Sequence, residues 1–258
     1  KGKSPALLGK VVVITGSAGT IGFETAKVFA SNGANIFLVD QDASNLEKAI
    51  TKLGSGHGMA VCDITKPNKV KTLINKIIWQ FGGIDIVISN AGSATGGALL
   101  DLDEKVFRAA FELNFFAHKN IALETAKIMK LQDRQGQILF NISKQAVNPG
   151  SNMGAYGMPK ATTMFLMRQL ALELGKDGIR VNGINADRIR SGLLTEDFIK
   201  LRANARDISE EQYMQGNLLN REVEARHVAE AFYALALMER TTGHVITVDG
   251  GNTAAELR

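Results

Sequence analysis

Residues 11–22 read VVVITGSAGTIG. Val11 to Thr15 are all β-branched, the composition of a strand. Three glycines follow within TGSAGTIG, and Phe23 to Ala30 is an amphipathic, helix-like stretch. Strand, Gly-rich turn and helix in that order are the context a dinucleotide fingerprint needs. Gly16 permits the tight turn, Gly19 lets backbone approach a pyrophosphate, and Gly22 lets helix and sheet pack closely. A helix start at Thr20–Ile21 offers free N–H groups and a positive dipole end to phosphates. Ser17 completes the expected cradle.

Working outward, NIFLVD (35–40), GMAVCD (58–63), IDIVISNAG (84–92), GQILFNIS (136–143), IRVNGIN (179–185) and HVITVDGG (244–251) read as further strands. Helical stretches separate them at 43–53, 66–81, 102–115, 116–131, 155–175, 193–215 and 224–238. The strands carry nearly continuous Val, Ile and Leu, as a sheet covered on both faces requires. Alternation with helices of ten residues or more implies right-handed βαβ crossovers. The expectation is one α/β domain over 1–258: a doubly wound, Rossmann-type parallel sheet of about seven strands with helices on both faces. The polar segment at about 190–226 is a candidate lid over the carboxyl edge of the sheet.

Composition narrows the class. In 258 residues, 45% are hydrophobic and 22% charged, with 26 Gly and 4 Pro, which excludes disordered and fibrous chains. No apolar run approaches the roughly 18–20 residues of a membrane span. KGKSPALLGK lacks the apolar core of a secretory signal. The lone Cys62 excludes an intramolecular disulfide, and together these point to the cytoplasm. His57, His118, His227 and His244 show no ligand spacing, so no metal is expected. The net charge of +4 is spread along the chain, without the basic runs of a nucleic-acid protein.

Asp40 ends the second strand, where a carboxylate accepts the ribose hydroxyls of an adenosine and repels a 2′-phosphate. Gln41, Ser17 and Ala18 bring no cation to that place, which favours NAD over NADP. Asp63, with Ile64 after it, ends the third strand and either bonds an adenine amino group or caps the turn. Tyr156 and Lys160 stand four apart on one helix face. An ammonium there, with a positive nicotinamide, is expected to lower the phenol's pKa and make Tyr156 a general base. Ser143, just after the fifth strand, is placed to hold a substrate oxygen.

TGSAGTIG, Asp40, Asp63–Ile64, SNAG (89–92), LN (113–114), Ser143, YGMPK (156–160), RVN (180–182) and VDGG (248–251) together resemble the short-chain dehydrogenase/reductase family from about Gly9 to Gly251. The resemblance implies an oxidoreductase with Tyr156 as acid/base and Lys160 binding the nicotinamide ribose. It makes Ser143 the substrate-oxygen donor and Asn114 a helix-bulge residue holding a relay water. Asn90, Ala91 and Gly92 match the loop supporting sheet and cofactor, and Ile189 and Ser191 lie in the loop that meets the nicotinamide. Homodimers or homotetramers through 102–131, 155–175 and the last strand are implied as well.

Two departures stand out. The glycines follow TGxxGxxG, the spacing of the longer, epimerase-like branch, and Ala186–Asp187 replaces the usual Pro-Gly. NADRIRSGLLT (185–195) and the ending DGGNTAAELR are similar to the dehydrogenase half of bifunctional rhamnulose-phosphate aldolase/short-chain dehydrogenases. That similarity implies a sugar-derived hydroxyaldehyde or polyol as substrate, and an aldolase domain N-terminal to a chain that starts without Met. Lys144, Gln145, Arg188 and Arg190 are candidate contacts for a carboxylate or phosphate on that substrate, and Met153, Met158 and Phe198 candidate apolar lining. The competing readings are a non-catalytic dinucleotide-binding regulator, an NAD-retaining epimerase and an adenosylmethionine methyltransferase.

Overall fold

The β-branched run forms β1 (Val11–Thr15), which pairs in parallel with both β2 (Asn35–Asp40) and β4 (Ile86–Ser89). From there the sheet grows outward in two directions. β3 (Gly58–Val61) lies beyond β2, while β5 (Gly136–Asn141), β6 (Ile179–Ala186) and β7 (Val245–Val248) follow β4, giving the order β3-β2-β1-β4-β5-β6-β7. Every pairing is parallel. The order in which strands are added reverses between β1 and β4, so a crevice opens at the carboxyl ends of these strands, where such sheets take ligands. The computed structural model describes residues 4–252, so the end of the NTAAELR segment lies outside the described residues.

Alternate side chains of β1 enter two separate cores. Val11 and Val13 pack with α3 (Pro67–Phe81), α5 (Ala117–Leu131) and α6 (Gly154–Leu174). Val12 and Ile14 pack with α1 (Thr20–Ser31), α2 (Ala43–Leu53) and α9 (Ala225–Leu237). With both faces covered, the central strands are built mostly of Val, Ile and Leu, and buried polar residues such as Gln137 and Asn182 donate to main-chain carbonyls.

Helix ends carry local signals: Asp42 caps α2 by accepting from the Asn45 amide at 3.0 Å, and Pro67 opens α3. The two helical stretches expected at 102–131 form one rod. α4 (Glu104–Phe111) passes through a single π-turn at 112–116 into α5. The 193–215 stretch divides into α7 (Glu196–Asn204) and α8 (Glu210–Met214), whose Ile199, Ala203, Tyr213 and Met214 make a small core of their own. Among the described residues, no helix is long and apolar enough to cross a membrane.

Candidate active site

Two adjoining cavities, of about 280 and 200 Å³, occupy the crevice and share Ile21, Asn90, Gly92, Asn141, Ser191 and Leu193 in their walls. The smaller is built on the Gly turn. Gly16 has φ +63°, and a Cβ there would stand 2.7 Å from the Ala91 Cα. At Gly22 a Cβ would meet the Gly16 carbonyl oxygen at 2.3 Å, so the first turn of α1 packs directly on the loop. Gly19 is the extended N-cap of α1, with no side-chain cap and no acid in the first turn, which leaves that end open to an anion. The residues therefore fit a dinucleotide diphosphate.

Gly16, Gly19, Thr20, Ile21, Gly22, Asp40, Asp63, Ile64, Asn90, Ala91 and Gly92 all line this smaller cavity. Ser17 does not. Its side chain is buried and donates to the Val39 carbonyl at 3.2 Å, tying the turn to β2 rather than facing a ligand. Asp40 accepts from the Ala18 amide at 3.0 Å and the Asp42 amide at 3.1 Å, which leaves carboxylate lone pairs free. Asp63 caps its turn, one oxygen accepting both the amide and the hydroxyl of Thr65, and that hydroxyl holds its pKa below the usual carboxylate value; the residue still lines the cavity. Asn90 clamps the neighbouring loop to the cradle, its Nδ2 donating to the carbonyls of Thr15 and Gly16 at 3.0 and 3.2 Å.

The larger cavity holds Ser143, Tyr156, Lys160, Ile189 and Ser191. Ser143, two residues past β5, is in extended backbone (φ −168°) and opens a short turn over 144–146. That turn touches α6 at Gly157, where a Cβ would sit 2.9 Å from the Gln145 carbonyl oxygen. Close approach there brings the Ser143 hydroxyl into a hydrogen bond with Tyr156. Lys160 lies one turn further on, its Nζ 5.9 Å from the centre of the Tyr156 ring and donating to the Asn141 carbonyl at 2.9 Å.

The electrostatics depart from the sequence expectation. Burial pushes the Tyr156 phenol above its usual value; the Ser143 hydrogen bond works against this, and Asp187 adds to it. Protein groups alone therefore do not lower it. Burial instead brings Lys160 down from 10.5 to about 7. An ammonium held in so dry a site is poorly stabilised unless another polar group meets it.

Asn114 lies at the centre of the π-turn, fully buried and outside both cavity walls. Its side chain binds Ser93 in both directions, accepting from the amide at 3.2 Å and donating to the carbonyl at 3.0 Å. Its own carbonyl accepts from the Thr163 hydroxyl at 2.7 Å. Four residues on, His118 is the buried neighbour that sequence reasoning passed over. Its Nε2 is 3.5 Å from the Lys160 Nζ and its Nδ1 2.6 Å from the Ser89 hydroxyl. Burial first, and the Lys160 charge second, hold its pKa well below the ordinary value, so it is neutral. The i, i+4 spacing from Asn114 was the available signal.

The anticipated substrate cations are largely spoken for. Lys144 and Arg188 share Asp187, at 2.8 and 3.5 Å, so the residue replacing Gly of the usual Pro-Gly engages both and offsets one of their two charges. Arg190 is not in the cavity wall; it turns to Glu196 and Glu222. Gln145, Met153 and Phe198 line the cavity, whereas Met158 does not. Arg202, Arg206 and Tyr213, from the 190–226 segment, line it unanticipated.

Comparison with known proteins agrees with this layout. A family model described as enoyl-(acyl carrier protein) reductase matches residues 16–253. An uncharacterized oxidoreductase, YuxG of Bacillus subtilis, is 35% identical over 262 residues; the match takes in 96% of this chain and 38% of that longer protein. The (-)-isopiperitenol/(-)-carveol dehydrogenase of Mentha piperita is 33% identical, with 95% of this chain and 94% of that one covered. A short-chain type dehydrogenase/reductase from Mycobacterium marinum superposes with a TM-score of 0.87 at 27% identity, covering 96% of both chains. Since the match runs from the Gly turn through the Ser143–Tyr156–Lys160 cluster to the last strand, the chain belongs to the short-chain dehydrogenase/reductase family of oxidoreductases, which use a nicotinamide cofactor.

Proposed function

We propose that the protein is an NAD-dependent dehydrogenase/reductase of a small alcohol/carbonyl pair, with a sugar-derived hydroxyaldehyde or polyol as substrate. The observation that carries this is the Ser143–Tyr156–Lys160 cluster lining the larger cavity, which adjoins the cavity built on the Gly turn. When bound, the nicotinamide supplies or accepts the hydride. The Ser143 hydroxyl donates a hydrogen bond to the substrate oxygen. Tyr156 takes the hydroxyl proton in oxidation and returns it in reduction. Lys160, held at Asn141 and His118, would bind the cofactor ribose through its remaining donor, and Asn114 fixes the adjoining loop through Ser93.

NAD is favoured over NADP because Asp40 stands at the cradle and, among the described residues, no Lys or Arg lines the smaller cavity. A 2′-phosphate would there meet a carboxylate with no cation to balance it. The 280 Å³ cavity suits a small substrate, and the 190–226 segment, supplying one wall, acts as its lid. The likeness of 185–195 to sugar-catabolic enzymes supports the substrate class, and the single buried Cys62 fits a cytoplasmic setting. Exposed Leu123 and Leu131 on α5 and Phe165 and Leu172 on α6 support assembly into a homodimer or homotetramer, which light scattering reads directly.

The test is a steady-state screen of sugar-catabolic alcohols and aldehydes with NAD and NADP, on wild type and Tyr156→Phe. Turnover with NAD, lowered about 10²–10⁴-fold in the variant with cofactor binding kept, is expected. Equal turnover in both removes Tyr156 from the chemistry. Net release of NADH separates a dehydrogenase from an epimerase.

A further inference from the structure

We propose that Arg202 and Arg206 form an anion subsite in the larger cavity, so that the substrate or product carries a carboxylate or a phosphate monoester. This rests on the oxidoreductase reading of the same cavity and names its substrate class.

The charge balance of the wall is the first ground. Lys144, Arg188, Arg202 and Arg206 line it with Lys160, against Asp187 as the acid. Asp187 is engaged by Lys144 and Arg188. Among the described residues, neither Arg202 nor Arg206 has a carboxylate within salt-bridge distance. Arg202 spends one N–H on the Ser151 carbonyl, at 3.1 Å, and Arg206 one on the Arg202 carbonyl, at 3.0 Å. A guanidinium has five such donors in a planar fork that matches carboxylate and phosphate oxygens.

Placement is the second ground. Tyr213, buried in the small core of the lid, carries the Arg188 guanidinium at 4.6 Å and the Arg206 guanidinium at 5.4 Å from its ring centre. Two cations on one ring repel each other, and the ring's quadrupole offsets only part of that. An anion between them and Arg202 relieves the repulsion. Attraction to the C-terminal end of α7 accounts for basic residues at 202 and 206 but not for both side chains lining the cavity that holds Ser143 and Tyr156. A cavity of about 280 Å³ keeps anionic head and reacting carbon within one small molecule.

Calorimetric titration of inorganic phosphate and of acetate tests this on the full chain with NAD at saturation, which fills the diphosphate cradle. Saturable binding of one of the two names the head group. That binding weakens at least about tenfold in Arg202→Gln and Arg206→Gln, recovers in part in Arg202→Lys, and is unchanged in Arg108→Gln on the outer face of α4. Binding weaker than about 0.1 M for both anions, or equal in all folded variants, overturns the subsite. In steady state, the two Gln variants raise KM for an anionic substrate at least about tenfold more than for its neutral counterpart. Should Tyr156→Phe turn over as wild type does, the oxidoreductase reading fails while the titrations still decide the subsite.

Discussion

The Lys160 Nζ stands 3.5 Å from the His118 Nε2, with both side chains buried and no carboxylate paired with the lysine among the described residues. A neutral imidazole thus sits where a counter-ion would be expected. It offers a hydrogen bond without full charge compensation, and the lysine titrates near 7. Ser89, bonded to the other ring nitrogen, fixes the tautomer that leaves Nε2 as acceptor when its hydroxyl accepts.

This pair sets a pH dependence of stability. Between about 7 and 10.5 the unfolded lysine holds a proton that the folded one lacks, so stability rises with pH, by at most about 1.4 kcal/mol per pH unit. Below 7 the penalty is fully present. His118 has the same sign lower down: unfolded histidine protonates below 6.5 while the buried ring stays neutral, so acid removes more stability. Tyr156, raised above 10.0, opposes the trend only at the alkaline end. Urea unfolding without cofactor should therefore gain stability from pH 7 to pH 10, and Lys160→Met should flatten the gain. An unflattened slope would assign it to other groups.

The glycines of the cradle and of the surface should part in sign. Gly22→Ala forces a methyl against the Gly16 carbonyl at 2.3 Å and should cost about 1–3 kcal/mol, with weaker NAD binding. Gly175→Ala, at φ −58° with no atom within 4 Å of the new carbon, should gain about 0.4–1 kcal/mol. Chemical denaturation of both measures the contrast.

Asp40→Ala should weaken NAD about 10–100-fold while NADP loses far less, narrowing the preference. Asp40 also accepts from two amides of its own fold, so the melting temperature must be followed alongside. Unchanged NAD affinity in a folded variant would sink the ribose role.

Asp187 and Lys144 should be unequal. Asp187→Asn strands two buried or half-buried cations and should cost about 3–5 kcal/mol. Lys144→Met leaves Asp187 with Arg188 and Asn252 and should cost clearly less. Equal losses would mean that Asp187 does not serve both cations.

Much of this was legible in the chain. The β-branched run at 11–15, the Gly turn after it and Asp40 at the end of β2 each act through local geometry, so pattern alone placed them. Tyr156 and Lys160 were legible because four residues on a helix define one face. Ser17 was misplaced because its turn residue could point either way, and packing on Val39 decided it.

The order of elements, the covering of both sheet faces and the crevice beside β1 were thus determined by the sequence, because periodicity and steric preference act over a few residues. Only tertiary structure decided that Asp187 engages both Lys144 and Arg188, that Arg190 turns away, and that Arg202 and Arg206 line the cavity. It alone set the direction of the Tyr156 shift and brought His118 to Lys160. Pairing and desolvation depend on which distant groups share a dry space, and no local rule encodes that.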